Sequence, residues 1–286
     1  MIKIPNTIRI KFFLALVIGL GITSTVNATQ NSSSQSAVSF QVFSENAQDE
    51  NLIRILHETK TYNRVSHIID QNFILEKPVR LHIQHPKKSQ LIATELDQES
   101  HVVVLPFSFL HTLYQGLSNK YIHQTTTIEA IFSTTVEFYI WSEFANHLIQ
   151  EKGLTIEGEQ YTARDNFATM MLLNQNTDSS DFITDASEAY LLIHSTHESN
   201  INQHSQNELQ RDQQRYRHII CLTLGFNETI QQPGLEKDHL KSFSWNKNDM
   251  QQCKSSYLTI VRNWYDVIEA SLKETNSIRY WLNEKN

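Results

Sequence analysis

The chain has 286 residues, which is enough for one sizeable hydrophobic core or for two small ones. Hydrophobic residues make up 40% of it and charged residues 19%, a balance that argues against global disorder and favours a globular protein. The formal net charge of −7 argues against nucleic acid as a partner, and the scarcity of glycine (7) and proline (5) favours long helices over a many-turned β-sandwich.

The first residues of the chain are predicted to be a signal peptide. Three basic residues precede the apolar run "FFLALVIGLGITSTV", and Val26 and Ala28 stand at the small-residue positions before a cut. An uncleaved anchor is the alternative, but the run is shorter than the about 20 residues that a bilayer span needs. We therefore expect cleavage after Ala28, export to the periplasm or the extracellular space, and no stable membrane insertion afterwards. Removing residues 1–28 removes three basic residues and no acidic one, so the formal charge falls from −7 to −10.

The first half of the mature chain carries the predicted strands. Residues 29–46 are assigned as a flexible N-terminal segment because "TQNSSSQSAV" is polar and low in complexity, although a short alternating pattern appears at residues 40–43. Alternation in "VRLHIQ" (79–84) predicts a half-buried strand, and the β-branched run "HVVVLPF" (101–107) predicts a second one. Pro106 cannot donate to a ladder, so it marks the end of that strand or an edge position.

Most of the remaining apolar residues recur at helical spacing. The predicted helices cover residues 48–72, 127–152, 160–173, 187–194, 208–224 and 248–272. Gly153 and Gly225 are each predicted to end the helix before them. No repeat or convincing linker divides the chain, so residues 47–286 are interpreted as a single α+β domain with a small N-terminal strand layer packed on a mainly helical body.

The chain contains two cysteines, Cys221 and Cys253. In the oxidising compartment that a signal peptide implies, two thiols most simply form one disulfide. The alternative is two buried free thiols. A structural zinc site is disfavoured because neither cysteine has a CxxC neighbour.

Three segments of the sequence resemble one known family. "VEFYIWSEFANHLIQEKGLTIEGEQYTARDNFATMMLL" is similar to a family core that reads HELGHALI on one helix and AADQFA on the next. "ELQRDQQRYRHIICLTLGFN" is similar to the family segment EHSLDQQRFYNLLCLLYGSD, and "CKSSYLTIVRNWYDVI" to its C…EY…W tail. The family is that of proposed zinc metallopeptidases known as domain-of-unknown-function family 4344. The resemblance spans about residues 135 to 270 and implies a zincin-like fold.

The resemblance breaks down at the metal-binding positions. In an HExxH helix the two histidines bind zinc and the glutamate serves as general base. In this register the histidine positions are Ser142 and Asn146, whereas Glu143 retains the general-base position. The acidic third-ligand positions fall on residues 160–162, "QYT". Neutral serine and asparagine oxygens are weak zinc ligands. We therefore expect an inactive pseudo-peptidase without a cofactor, which binds an unknown protein or peptide.

Three further positions match the family pattern. Asp165 corresponds to the aspartate of the second helix, and Asp212 and Arg215 correspond to residues of the DQQR segment. In active relatives Asp212 or Arg215 could contact substrate. An internal ion pair that holds the C-terminal helices together is the other interpretation.

A metal-dependent hydrolase with non-standard ligands is the alternative function, with zinc as its cofactor. Glu143 and His147 are four residues apart, so they can share a helix face and bind an ion together. More imidazoles could come from downstream, at His194, His197, His204 and His218. Against this, His147 lies one step past the ligand position, so it points roughly 100° away from it. The pair could also be an ordinary surface pair on a helix.

Overall fold

The computed structural model describes residues 37–85, 101–154, 160–175, 183–189, 206–230, 245–274 and 277–278. The predicted signal peptide lies outside these residues, as do His194, His197 and His204. None of the helices in these described ranges is long and apolar enough to cross a membrane.

Three parallel strands form a small sheet in the order β1-β2-β3. They are β1 (Val38–Phe43), β2 (Val79–Gln84) and β3 (His101–Pro106). The two predicted strands are confirmed: β2 alternates between buried and half-buried residues, and Pro106 is the last residue of an edge strand. The first strand lies within residues 29–46. Its pairing with β2 makes residues 38–43 part of the folded unit, which corrects their assignment to the flexible segment.

Two helices connect β1 to β2, namely α1 (Ala47–Glu58) and α2 (Thr61–Asn72). Helical periodicity predicted this stretch as one helix. The side chain of Asn46 caps the start of α1, and the chain breaks at Lys60, whose φ of 56° is left-handed and interrupts the helical ladder.

The centre of the molecule is a long helix that packs between the sheet and the C-terminal helices. After β3 the chain forms α3 (Phe107–Lys120), which the sequence analysis did not predict, and then α4 (Thr125–Lys152). Gly153 ends α4 in a left-handed conformation, as predicted. Nearly every residue of α4 from 131 to 148 is buried. Such a helix is a core element, with neighbours on all sides.

The C-terminal half of the described chain is helical. Its elements are α5 (Gln160–Gln175), α6 (residues 183–189), α7 (Gln206–Ile230), α8 (Lys247–Ile268) and a 3₁₀ turn (Glu269–Ser271). The helix predicted at residues 187–194 begins four residues earlier than expected, and its last five residues lie outside the described part of the chain. The chain thus has the predicted α+β class.

The prediction that Gly225 ends a helix is wrong, because α7 continues through it to Ile230. A Cβ atom at Gly225 would lie 2.3 Å from the carbonyl oxygen of Cys253 and 2.8 Å from the Cβ of Tyr257. The glycine therefore permits close contact between α7 and α8. The predicted disulfide between Cys221 and Cys253 is confirmed and joins the same two helices.

The C-terminal end of the described chain returns to the N-terminal half. Phe73 and Leu272 form an isolated antiparallel bridge. The amide of Lys273 donates to the carbonyl oxygen of Asn72 at 2.8 Å. These contacts hold the end of α2 against the segment that follows the 3₁₀ turn.

Candidate functional site

The middle of α4 contains polar side chains in an otherwise apolar helix. The buried ones near the candidate site are Glu137, Ser142, Glu143, Asn146 and His147. Burying a polar group without a partner costs free energy, so each of these side chains needs a specific neighbour. Their contacts divide them into a group that faces α5 and a group that faces other elements.

Asn146 is the centre of an amide cluster between α4 and α5. Its side-chain oxygen accepts a hydrogen bond from the side-chain amide of Gln160 at 2.9 Å and from that of Gln150 at 3.3 Å. Ser142 lies one turn earlier on α4 and is 1% exposed. The structure therefore brings together the positions that the sequence analysis assigned to both zinc histidines and to the start of the third-ligand segment.

Glu143 forms an ion pair with Arg164 of α5. The guanidinium of Arg164 donates to the carboxylate of Glu143, and its Nε also donates to the backbone oxygen of Ser142 at 3.3 Å. The side chains of Glu143 and Arg164 are only 8% and 13% exposed. Glu143 is therefore buried and bound to an arginine, and it does not form the surface pair with His147 that was one interpretation of the sequence.

His147 faces β3 rather than α5. Its ring centroid lies 3.9 Å from that of His101, and its Nε2 lies 2.8 Å from Oε2 of Glu151, without the alignment of a hydrogen bond. Burial lowers the pKa of His147 to about 3 and also lowers the pKa of His101. Both imidazoles are therefore neutral at pH 7. His147 follows Asn146 directly, and successive residues of a helix point about 100° apart, so His147 faces away from the amide cluster.

Asp165 and Arg215 form a second buried ion pair, which joins α5 to α7. Nε of Arg215 donates to Oδ2 of Asp165 at 2.7 Å, and a second guanidinium nitrogen donates to Oδ1 at 3.0 Å. The two residues are 2% and 7% exposed. Arg215 therefore forms an internal ion pair, as one interpretation anticipated, but its partner is Asp165. The side chain of Asp212 lies outside the described part of the structure.

Tyr161 and His218 complete the surroundings of α5. The guanidinium groups of Arg164 and Arg215 lie 5.9 and 5.6 Å from the ring centre of Tyr161. His218 contacts the side-chain oxygen of Asn166 through Nε2 at 2.7 Å, and burial lowers its pKa. His218 therefore has a structural partner on α5 and does not lie beside His147 in any contact that the structure shows.

Two buried carboxylates elsewhere have their own partners. Glu137 pairs with Arg64 of α2 at 2.6 Å, and burial raises the pKa of Glu137. Burial alone would raise the pKa of Asp49, but hydrogen bonds from the Glu45 amide and from His85 and His111 outweigh it and lower this pKa to about 2. These carboxylates hold elements together and do not face the amide cluster.

The side chains of the amide cluster do not fit a zinc ion. Ser142, Asn146 and Gln160 offer only neutral oxygen donors, whereas zinc is bound in proteins by imidazole, thiolate and carboxylate groups. The nearby carboxylate of Glu143 already holds a cation, the guanidinium of Arg164. Among the residues that the structure describes, no three histidine, cysteine, aspartate or glutamate side chains are grouped so that they could hold a metal ion.

The family model DUF4344, described as "Putative metallopeptidase", matches residues 42–268. The chain belongs to this family. No curated protein and no solved structure matches the chain. The family match confirms the resemblance found in the C-terminal segments and extends it over β2, β3 and α1 to α3. Membership establishes the family, while the chemistry of the site depends on the residues that this chain carries.

Sequence reasoning missed Arg164, Gln150, His101 and Glu151. Three of them carry a signal that was available, because each lies four residues after a residue already selected: Arg164 after Gln160, Gln150 after Asn146, and Glu151 after His147. His101 had no such signal, since it only begins a predicted strand.

Proposed function

We propose that this protein is a catalytically inactive member of the DUF4344 family, a pseudo-peptidase that acts by binding a protein or peptide. The observation that carries the proposal is the hydrogen bonding of Asn146. Its amide oxygen, at the proposed position of the second zinc histidine, is bound by Gln160 and Gln150. A site built from mutually bonded amides has no strong donor left for a metal ion.

The state of Glu143 supports the same conclusion. In a metallopeptidase the general base acts on a water whose pKa the metal has lowered. Here the carboxylate of Glu143 is bound to the guanidinium of Arg164. A glutamate in this arrangement stabilises the contact between α4 and α5, because its carboxylate is engaged by the guanidinium.

We also propose that the protein is exported after cleavage at Ala28. The apolar run at residues 12–26 and the disulfide between Cys221 and Cys253 support this, because disulfides persist in oxidising compartments. Expression with the native N-terminus and mass analysis of the secreted chain tests the proposal. The expected mature chain begins at Thr29, and recovery of the whole chain only inside the cell would contradict export.

The metal content of the mature protein tests the proposed function. Purified from medium with ample zinc, the wild-type chain should contain far less than one zinc per chain and should not cleave a protein substrate such as casein. One zinc per chain that is lost on Glu143→Ala or His147→Ala, but kept on the exposed control His67→Ala, would overturn the proposal.

The alternative is a metal-dependent hydrolase with ligands around Glu143 and His147. The observation in its favour is that neither ring nitrogen of His147 has a hydrogen-bond partner among the described residues, although His101 and Glu151 lie beside it. The ion pair between Glu143 and Arg164 argues against this alternative. The same zinc measurement distinguishes the two functions, because the alternative requires zinc that depends on His147.

A further inference from the structure

Arg164 occupies the contact between α4 and α5 at the candidate site. It donates to the carboxylate of Glu143 and to the backbone oxygen of Ser142, so a single guanidinium contacts the general-base position and the backbone at the first histidine position. The residue after it, Asp165, points to α7 instead and pairs with Arg215. Arg164 therefore lies beside the amide cluster, against the same turn of α4, whereas Asp165 belongs to the ion pair that joins α5 to α7.

We propose that Arg164 is an internal cation whose positive charge replaces that of a metal ion and excludes metal from the site. This inference rests on the proposed function, because it uses the same assignment of the ligand positions. It adds a residue that would prevent metal binding at those positions. A buried carboxylate in its charged form is stabilised by a cationic partner. In a metallopeptidase scaffold the metal supplies positive charge beside the glutamate, whereas here the arginine supplies it.

The electrostatic argument concerns a second cation at the same place. The guanidinium remains protonated at every pH at which the protein folds. A divalent ion bound between residues 142, 146 and 160 would lie close to this fixed positive charge in a poorly solvated region, where like charges repel strongly. The repulsion remains even when good ligands are present. Restoring the ligands is therefore insufficient for zinc binding as long as Arg164 is retained.

The test uses the mature chain with restored ligands, in two versions. The first carries Ser142→His, Asn146→His and Gln160→Glu, and the second carries the same changes together with Arg164→Ala. Zinc affinity is measured by competition with a chromophoric chelator, and folding is checked by circular dichroism. The version without Arg164 should bind zinc about tenfold more tightly or better, as expected for the loss of a nearby like charge.

A matched control separates this local effect from a change in net charge. Arg54 forms an exposed ion pair with Glu58 on α1, far along the chain from the site. Adding Arg54→Ala to the first version removes one guanidinium in the same way and should leave zinc affinity unchanged. Equal zinc affinity with and without Arg164 would overturn the inference, and so would the absence of zinc binding in both folded versions.

A second measurement keeps the inference testable if the multiple variants fail to fold. In the native background, Glu143→Gln and Arg164→Gln should each lower the midpoint of urea unfolding, and the double variant should recover most of the loss. Independent, additive losses would show that the two side chains are not paired and would overturn the inference. Zinc at this site in the wild-type chain would overturn the proposed function and this inference together, whereas equal zinc affinity of the two restored versions would overturn this inference alone, so the two failures are distinguishable.

Discussion

His147 lies against the ring of His101 between α4 and β3, and burial lowers its pKa to about 3. In the unfolded chain a histidine has a pKa of about 6.5. Between these two values the unfolded chain binds a proton that the folded chain does not, so stability is complete above about pH 6.5 and is lost progressively as pH falls toward 3. We expect His147→Leu to reduce this acid-induced loss, as measured by urea unfolding at pH 7, 5.5 and 4.

The control for this prediction is His67→Leu, which makes the same change at an exposed position of α2. The pKa of Asp49 is lowered to about 2, so protonation of Asp49 destabilises the protein only at still lower pH. This contribution is the same in wild type and variant and therefore cancels when their stabilities are compared. Parallel stability curves for wild type and His147→Leu between pH 7 and 4 would contradict the burial of a neutral imidazole.

At the scale of single residues, the sequence identified some residues of the candidate site and could not identify others. Ser142, Glu143 and Asn146 share one face of α4 by helical spacing alone, and an ion pair for Arg215 was already one interpretation. The partner of Glu143 depends on where α5 crosses α4, which is a tertiary contact. Helical spacing shows that Arg164 lies on the same face as Gln160, but only the packing shows that this face meets Glu143.

At the scale of elements, the contact between α7 and α8 depends on Gly225. A methyl group there would meet the backbone of Cys253, which a disulfide holds in place, so the clash cannot be relieved by a flexible side chain. We expect Gly225→Ala to lower the free energy of unfolding by about 1–3 kcal/mol, the usual cost of overpacking. Chemical denaturation followed by circular dichroism measures this change.

Gly116 of α3 provides the matched control, because nothing lies within 4 Å of a Cβ atom placed there. Alanine is a better helix former than glycine, so Gly116→Ala should raise the free energy of unfolding by up to about 1 kcal/mol. If both substitutions stabilise the protein, the close approach of α7 and α8 is not tight enough to require glycine.

The elements themselves were predictable where periodicity was strong and end signals were simple. The alternation of β2 and the glycine stop of α4 both appear as expected. Helix α3 was missed because it follows β3 directly and no side chain caps its start, which leaves no local start signal. The opposite error occurred at Gly225, where a residue typical of helix ends serves a helix contact instead.

At the scale of the whole molecule, strand direction and chain closure could not be predicted from local patterns. Alternation indicates which face of β2 is buried, but the parallel direction of β1 and β2 follows from the two helices that carry the chain back between them. Likewise, the bridge between Phe73 and Leu272 joins residues far apart in sequence. Contacts of this kind arise from the packing around α4, where the buried residues of the sheet and the helices form one core cluster.

The disulfide between Cys221 and Cys253 is a covalent link at the same scale, because it joins α7 to α8 across a sequence separation of 32 residues. Closing a loop of this length reduces the entropy of the unfolded chain and stabilises the folded state by about 3–4 kcal/mol. We therefore expect the double variant Cys221→Ser/Cys253→Ser to unfold at a markedly lower urea concentration than the oxidised wild type.

The reducing agent provides the control for this prediction. With dithiothreitol the wild type should lose most of its stability advantage over the double variant, and the double variant should not change. Cys253 is 1% exposed and packs against Ile220 and Leu224, so the two serines also place hydroxyl groups in an apolar cluster. The reduced wild type separates these effects, because it loses the covalent link and keeps both sulfur atoms. Two thiols that react with iodoacetamide in the unfolded, unreduced protein would contradict both the disulfide and the oxidising compartment that it supports.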